Sequence, residues 1–121
     1  MAVSLYQIAI DVHDAKRQAE FWTQVLDWKV LYEDEEEIVI GSGADALPGI
    51  VFLTVPESKT LKNRLHLDLS PDDQDAEVAR IIGLGARPAD VGQGEDVTWV
   101  VLADPEGNEF CVLRPKRSLT D

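Results

Sequence analysis

The stretch "DPEGNEFCVLRP", residues 104–115, decides how the second half of the chain is interpreted. Its first five residues are typical of a tight turn, and residues 109–113 follow as a short strand. Cys111, the only cysteine in the chain, lies in the middle of that strand. Its side chain could act as a nucleophile, as a metal ligand or as a small buried group.

Working outward from this strand, the chain shows a weak internal repeat with an offset of 59 residues. "YQIAIDVHD" (6–14) aligns with "LHLDLSPDD" (65–73), and "GIVFLTVPE" (49–57) aligns with "NEFCVLRPK" (108–116). Apolar positions agree at both ends of each half without a gap. The repeat predicts a duplicated module.

Both halves show the same order of predicted elements, one strand, one helix and three strands. Asp14 can cap the first helix, in which apolar residues recur at helical spacing. We therefore predict an α+β fold of two βαβββ modules, residues 1–57 and 64–116, in a single domain spanning 1–121. The predicted strands are 4–11, 28–32, 37–40, 49–55, 64–69, 87–91, 97–102 and 109–113, and the predicted helices are 14–26 and 72–84.

Alternation along the predicted strands separates a core face from a face that would line a cavity. In 64–69 the leucines belong under the helix, so His66 and Asp68 point the other way. The same reasoning predicts that Phe52 and Cys111 turn away from the core, and Gln7 joins them. The offset of 59 pairs Gln7 with His66 and Phe52 with Cys111, which predicts that these side chains converge.

Composition narrows the possible partners and the compartment. The chain has 121 residues, 23 acidic and 11 basic, for a formal net charge of -12. Such a charge opposes binding to nucleic acid and to anionic membranes, and favours a cationic ligand. A single cysteine forms no intramolecular disulfide, and no stretch has the length of a membrane span, so we expect a cytoplasmic protein.

The duplicated module, the "DPEGNEF" turn (104–110) and "EFWTQVLDW" (20–28) together resemble the vicinal oxygen chelate (VOC) superfamily. This superfamily includes glyoxalase I, extradiol dioxygenases, fosfomycin-modifying enzymes and bleomycin-resistance proteins. The resemblance covers nearly the whole chain, and it is nearest to the short glyoxalase-like proteins of high-GC Gram-positive bacteria. It implies a curled mixed sheet around a cavity.

The resemblance also implies which positions would hold a metal. They are Gln7, Phe52, His66 and Cys111, and a phenylalanine ring cannot ligate an ion. Since this set has no carboxylate, we predict no stoichiometric metal at the inherited site and no cofactor. A divalent metal such as zinc is the alternative, because thiolate and imidazole both suit it.

Several roles stay open at the residues of the predicted cavity. Cys111 would need a lowered pKa to serve as a nucleophile, and buried free cysteine more often acts as a small hydrophobe. His66 would be the catalytic acid or base in an enzyme, or it would simply bond to Gln7 or Asp68. Trp99 is predicted to face the cavity, where an aromatic ring and acidic groups suit a flat or cationic molecule. The predicted ligand-binding residues are Gln7, Phe52, His66, Asp68, Trp99 and Cys111.

Three functions compete at this point. The first is a metal-independent protein that binds a small organic ligand, cationic or aromatic, and sequesters a drug or metabolite. The second is a VOC-type lyase or isomerase that uses a metal at Gln7 and His66, or His66 alone as acid and base. The third, a structural interaction domain, leaves the inward polar groups unexplained. We also expect a homodimer, since exposed sheet edges favour pairing.

Overall fold

The computed structural model describes residues 2–94 and 96–121. The chain divides into two compact units, the first ending at Lys59 and the second beginning at Thr60. Each unit contains one helix and four strands in the order βαβββ. The predicted α+β class and the duplicated module are therefore confirmed. Within the described residues, no helix combines the length and the apolar character needed to cross a membrane.

The first unit is a mixed sheet with the strand order β1-β4-β3-β2. β1 and β4 are parallel, whereas the other neighbours are antiparallel. The helix packs against β3 and β4. The elements are β1 (Gln7–Val12), α1 (Ala15–Leu26), β2 (Lys29–Glu33), β3 (Glu37–Gly41) and β4 (Gly49–Thr54).

The second unit repeats this topology with the order β5-β8-β7-β6. β5 and β8 are parallel, and the other two pairings are antiparallel. Its first strand is much shorter than the predicted 64–69. The elements are β5 (Asp68–Leu69), α2 (Gln74–Gly83), β6 (Arg87–Pro88), β7 (Val100–Ala103) and β8 (Glu109–Val112).

Both helices begin at an aspartate, as the repeat predicts. The Asp14 side chain accepts a hydrogen bond from the Arg17 N–H at 3.1 Å, and Asp73 accepts one from the Ala76 N–H at 3.1 Å. These bonds satisfy backbone donors that lack a partner within the first helical turn. The offset of 59 therefore holds at the start of each helix.

The side-chain faces of the first sheet differ from the prediction at Phe52. The register aligns Gln7 with Gly49 and Ile10 with Phe52. Since aligned residues on neighbouring strands point to the same face, Phe52 lies on the face of Ile10 and not on that of Gln7. Phe52 is 0% exposed, so its predicted exposure to a cavity was wrong. The stretch "GIVFL" (49–53) is apolar at every position after its glycine, and alternation cannot choose between its faces.

In β8 the predicted faces agree with the structure, whereas the prediction that Leu65 lies under the helix was wrong, because Leu65 precedes β5 and is 86% exposed. Leu102 is aligned with Phe110, and both are at most 1% exposed. Cys111 is aligned with Val101 on one side and with Asp68 on the other, so these three side chains share the opposite face. Phe110 therefore packs in the core of the unit, and Cys111 faces away from it.

The two registers show that one offset does not describe the whole repeat. Ala9 is aligned with Val51 in the first unit, and Asp68 is aligned with Cys111 in the second. Asp68 follows Ala9 by 59 residues, whereas Cys111 follows Val51 by 60. The predicted equivalence of Phe52 and Cys111 was therefore wrong by one residue, and Val51 is the counterpart of Cys111.

Asp104, which is 2% exposed, organises the turn before β8. Its Oδ1 accepts hydrogen bonds from the backbone N–H groups of Glu106 at 3.0 Å and Asn108 at 2.9 Å. The Gly107 N–H donates to the Asp104 carbonyl at 2.8 Å, and Gly107 has a φ of 86°, which favours glycine. The turn therefore fixes where β8 begins.

Replacing Asp104 tests this role. We expect Asp104→Ala to lower the free energy of unfolding by about 1–3 kcal/mol, because two part-buried N–H groups lose their acceptor. Asp104→Asn keeps an acceptor oxygen and should lose less. Urea denaturation gives the comparison, with the exposed Asp45→Ala as the control. Equal losses for Asp104→Ala and Asp45→Ala would contradict the role of the turn.

Candidate functional site

The Cys111 face of the second unit carries a pocket with a volume of about 410 Å³. It lies over β8. Because every second side chain of a strand points to the same face, the side chains at positions 109, 111 and 113 all line it. Polar groups occupy part of the wall, and aliphatic and aromatic groups occupy the rest. Its lining includes His66, Asp68, Trp99, Val101, Glu109 and Cys111.

His66 and Asp68 form a pair at this pocket. The His66 Nδ1 lies 3.0 Å from the Asp68 Oδ1, and their side chains are 43% and 48% exposed. Of the two hydrogen-bond partners considered from the sequence, Asp68 is the one found. A neutral imidazole that donates from Nδ1 keeps Nε2 as an acceptor. Because both side chains are exposed to solvent, the pair contributes little to the free energy of unfolding.

Cys111 lies beside this pair and is 7% exposed. Burial raises the pKa of the Cys111 thiol, and the negative charge and hydrogen bonding of Asp68 raise it further. Lys62 opposes these effects by favouring the thiolate. The thiol is therefore protonated at neutral pH, and Cys111 lacks the lowered pKa that a nucleophile needs.

Glu109 is a pocket residue that the sequence reasoning missed. Its Oε2 accepts a hydrogen bond from the Asn63 N–H at 3.1 Å, which ties the start of the second unit to β8. The signal was present, since a residue two positions before Cys111 must share its face. Asp68 and Glu109 place two carboxylates in the pocket, with Lys62 as a cation in its lining.

Trp99 lines the same pocket and is 40% exposed. It precedes β7, whose Leu102 is fully buried, so the predicted side of the strand agrees with the structure. Four of the predicted ligand-binding residues thus meet in one pocket, namely His66, Asp68, Trp99 and Cys111. That any of them binds a ligand stays a prediction.

The other two predicted residues belong to the first unit. Gln7 lines a separate pocket of about 450 Å³ with Tyr6 and Tyr32. Phe52 is buried on the other face of that sheet, as described above. The predicted convergence of Gln7 with His66 stays a prediction.

The donor atoms of the second unit suit a metal better than the sequence suggested. One ligand atom each from His66, Asp68 and Cys111 lie within 4.8 Å of one another. The inherited set has no carboxylate of its own, but Asp68 brings one close to His66 and Cys111. Nitrogen, oxygen and sulfur together fit a zinc-like ion, whereas manganese and magnesium prefer oxygen-rich sites.

Comparison with known proteins identifies the family. A model described as a glyoxalase-like domain matches residues 7–113. The chain belongs to this family. The match covers the strands and helices of both units, including every residue discussed above for the pocket of the second unit. No curated protein matches the chain.

Solved structures share the VOC fold with this glyoxalase-like chain. A glyoxalase/bleomycin resistance protein/dioxygenase family enzyme from Burkholderia phytofirmans PsJN has a TM-score of 0.74 and 20% identity, covering 94% of this chain and 100% of that one. The antibiotic binding protein TnmS3 from Streptomyces sp. CB03234 has a TM-score of 0.64 and 21% identity, covering 96% and 99%. At these identities the likeness shows the fold alone.

A third structure shows a metal in a protein of this fold. The fosfomycin resistance protein FosX from Listeria monocytogenes, complexed with Mn(II) and 1S,2S-dihydroxypropylphosphonic acid, has a TM-score of 0.70 and 18% identity. The match covers 96% of this chain and 93% of that one. Binders and metal-containing proteins therefore share the architecture, and fold does not choose between them.

The raised pKa of Cys111 gives a prediction for alkylation. Below that pKa the thiol is protonated, so at pH 8 the reaction with iodoacetamide should be slower than for an exposed cysteine. Asp68→Asn removes a negative charge and should lower the pKa, which moves the pH profile of the rate to lower pH. Asp75→Asn, a change of the same kind on α2, is the control. A profile that moves equally in both variants would contradict the coupling of Asp68 to Cys111.

Proposed function

We propose that this protein binds a small organic molecule, cationic or aromatic, in the pocket of the second unit and needs no metal to do so. The observation that carries the proposal is the meeting of Trp99 with the carboxylates of Asp68 and Glu109 in one cavity. In this proposal Trp99, Asp68 and Glu109 bind the ligand and catalyse no reaction. The protein would sequester its ligand, a drug or a metabolite.

The size and lining of the pocket support a small organic ligand. A volume of about 410 Å³ falls within the range of known ligand sites, roughly 300–1,000 Å³. Trp99 and Val101 provide an apolar wall on which a flat ring can stack. A half-exposed tryptophan at a pocket is more readily explained by a ligand than by core packing.

The charges support a cation. Asp68 and Glu109 outnumber Lys62 in the lining, and the whole chain carries a formal net charge of -12. A ligand cation over the face of Trp99 would also gain a cation–π contact. An antibiotic binding protein among the structures of the same fold is consistent with this proposal.

A VOC-type lyase or isomerase is the second candidate. The pair of His66 and Asp68 favours it, since Asp68 orients the ring and the other nitrogen can accept a proton from a substrate. A metal at Gln7 and His66 is the other form of this candidate. Turnover that His66→Ala abolishes, with ligand affinity retained, would favour the enzyme over the binding protein.

We also propose that the protein is a cytoplasmic homodimer. β2 is at the edge of the first sheet, and all five of its residues are exposed. Unpaired edge strands promote association unless they are covered, and pairing with a second copy would cover this one. Light scattering at micromolar concentration measures the oligomeric state directly, and a monomer would contradict the proposal.

A pair of isosteric probes tests the binding proposal. N-methylquinolinium and α-methylnaphthalene have nearly the same shape, but only the first is a cation. We expect the cation to bind at least about 10-fold more tightly, a difference of about 1.4 kcal/mol, in isothermal titration with EDTA present. Trp99→Ala should weaken binding of both probes, and Glu109→Gln that of the cation alone.

Tyr6→Ala is the matched control, because Tyr6 is an exposed aromatic residue of the first unit, outside this pocket. Circular dichroism verifies that each variant is folded. Equal affinity for the two probes would contradict the proposal that the pocket prefers a cation. Binding that survives Trp99→Ala, or that needs a divalent ion, would contradict the proposed function.

A further inference from the structure

We propose that the ligand of the second-unit pocket is an organic zwitterion, whose negative group pairs with Lys62 while its cationic ring lies against Trp99. The inference rests on the proposed function, because it adds a second charged group to the same cationic or aromatic ligand. It also gives Lys62, which the sequence reasoning did not single out, a role in specificity.

Lys62 lies in the lining of the pocket, and its charge acts inside it. Burial and Asp68 raise the pKa of the Cys111 thiol, whereas Lys62 acts on this thiol in the opposite direction. Cys111 is 7% exposed on the pocket face of β8. Because Coulomb interactions weaken with distance, the Lys62 ammonium is close enough to the pocket wall to interact with a bound molecule.

The protein itself does not neutralise Lys62. Across residues 2–94 and 96–121, no carboxylate forms an ion pair with its ammonium, which donates one long hydrogen bond, 3.5 Å, to the Asn63 carbonyl. In contrast, Asp68 is paired with His66, and Glu109 accepts a hydrogen bond from the Asn63 N–H. A negative group on the ligand can therefore pair with Lys62 without breaking an ion pair of the protein.

The positive and negative charges of the lining come from different segments. Asp68 and Glu109 belong to the paired strands β5 and β8, whereas Lys62 belongs to the segment that precedes β5. The hydrogen bond of 3.1 Å between the Asn63 N–H and the Glu109 Oε2 keeps that segment beside β8. A ligand that carries its two charges on different atoms can therefore contact both segments at once.

The charge of the whole chain makes Lys62 decisive for a ligand with a negative group. The formal net charge of -12 repels an anionic group at long range, so only a local cation can make such a group favourable. A simple cation meets the opposite problem, since Lys62 repels it. In a zwitterion, each charge finds an opposite charge in the lining. Lys62 should therefore favour a zwitterion over a simple cation.

Three probes with the same ring test this inference. N-methylquinolinium is a simple cation, and N-(carbamoylmethyl)quinolinium is a cation with a neutral amide arm. N-(carboxymethyl)quinolinium is a zwitterion of nearly the same shape as the amide. In isothermal titration of the full chain at low ionic strength, we expect the zwitterion to bind about 5-fold more tightly than the amide, the upper end for a solvent-exposed ion pair. Added salt should reduce this preference.

Two lysine variants assign the preference to one residue. Lys62→Met keeps an unbranched side chain without the charge. The amide should then bind more tightly than the zwitterion, because the acidic chain repels the carboxylate. Lys29→Met is the matched control, since Lys29 is an exposed lysine on β2 of the first unit, outside this pocket. It removes the same charge and should retain the preference for the zwitterion.

The outcomes separate this inference from the proposed function. If Trp99→Ala weakens binding of N-methylquinolinium but the zwitterion and the amide bind equally well, the inference is wrong and the proposed function stands. A preference for the zwitterion that survives Lys62→Met would also overturn the inference. If none of the three probes binds, the proposed function fails, and the inference fails with it.

Discussion

The alignment of β5 with β8 is the constraint on which the site depends. Only Asp68 and Leu69 form β5, yet their pairing sets Asp68 opposite Cys111. A slip of one residue would turn Cys111 toward the core and bring Phe110 to the pocket. Asp68 could then no longer raise the pKa of the thiol. The core prevents this slip, because Phe110 is 1% exposed against Leu102 and has no comparable place on the polar face.

The two units share a topology, but only one of them carries this chemistry. The counterparts of His66, Asp68 and Cys111 in the first unit are Gln7, Ala9 and Val51, by the alignment of the paired strands. An amide and two aliphatic side chains can neither orient an imidazole nor supply a thiolate. The two units thus share a scaffold, and different residues at three positions on one face give the second unit its polar cluster.

Much of the fold could be predicted because local signals agree with it. Asp14 and Asp73 cap their helices, and the residues of the turn at Asp104 predict where β8 begins. The face of Phe52 could not be predicted, since "GIVFL" (49–53) is apolar on both sides and only pairing with β1 decides it. The alignment of Asp68 with Cys111 needed the register of β5 and β8, which no local pattern contains.

The tautomer of His66 tests the central claim most directly. A neutral imidazole free in water favours a proton on Nε2, whereas donation to Asp68 at 3.0 Å requires the proton on Nδ1. Long-range nitrogen–proton correlation spectra, recorded on metal-free protein at a pH where the ring is neutral, distinguish the two forms. Loss of the signal in His66→Ala separates it from that of His13. We expect the Nδ1–H form, and Asp68→Ala, which removes the acceptor, should restore the Nε2–H form; an Nε2–H form in the unmodified protein would contradict the site described above.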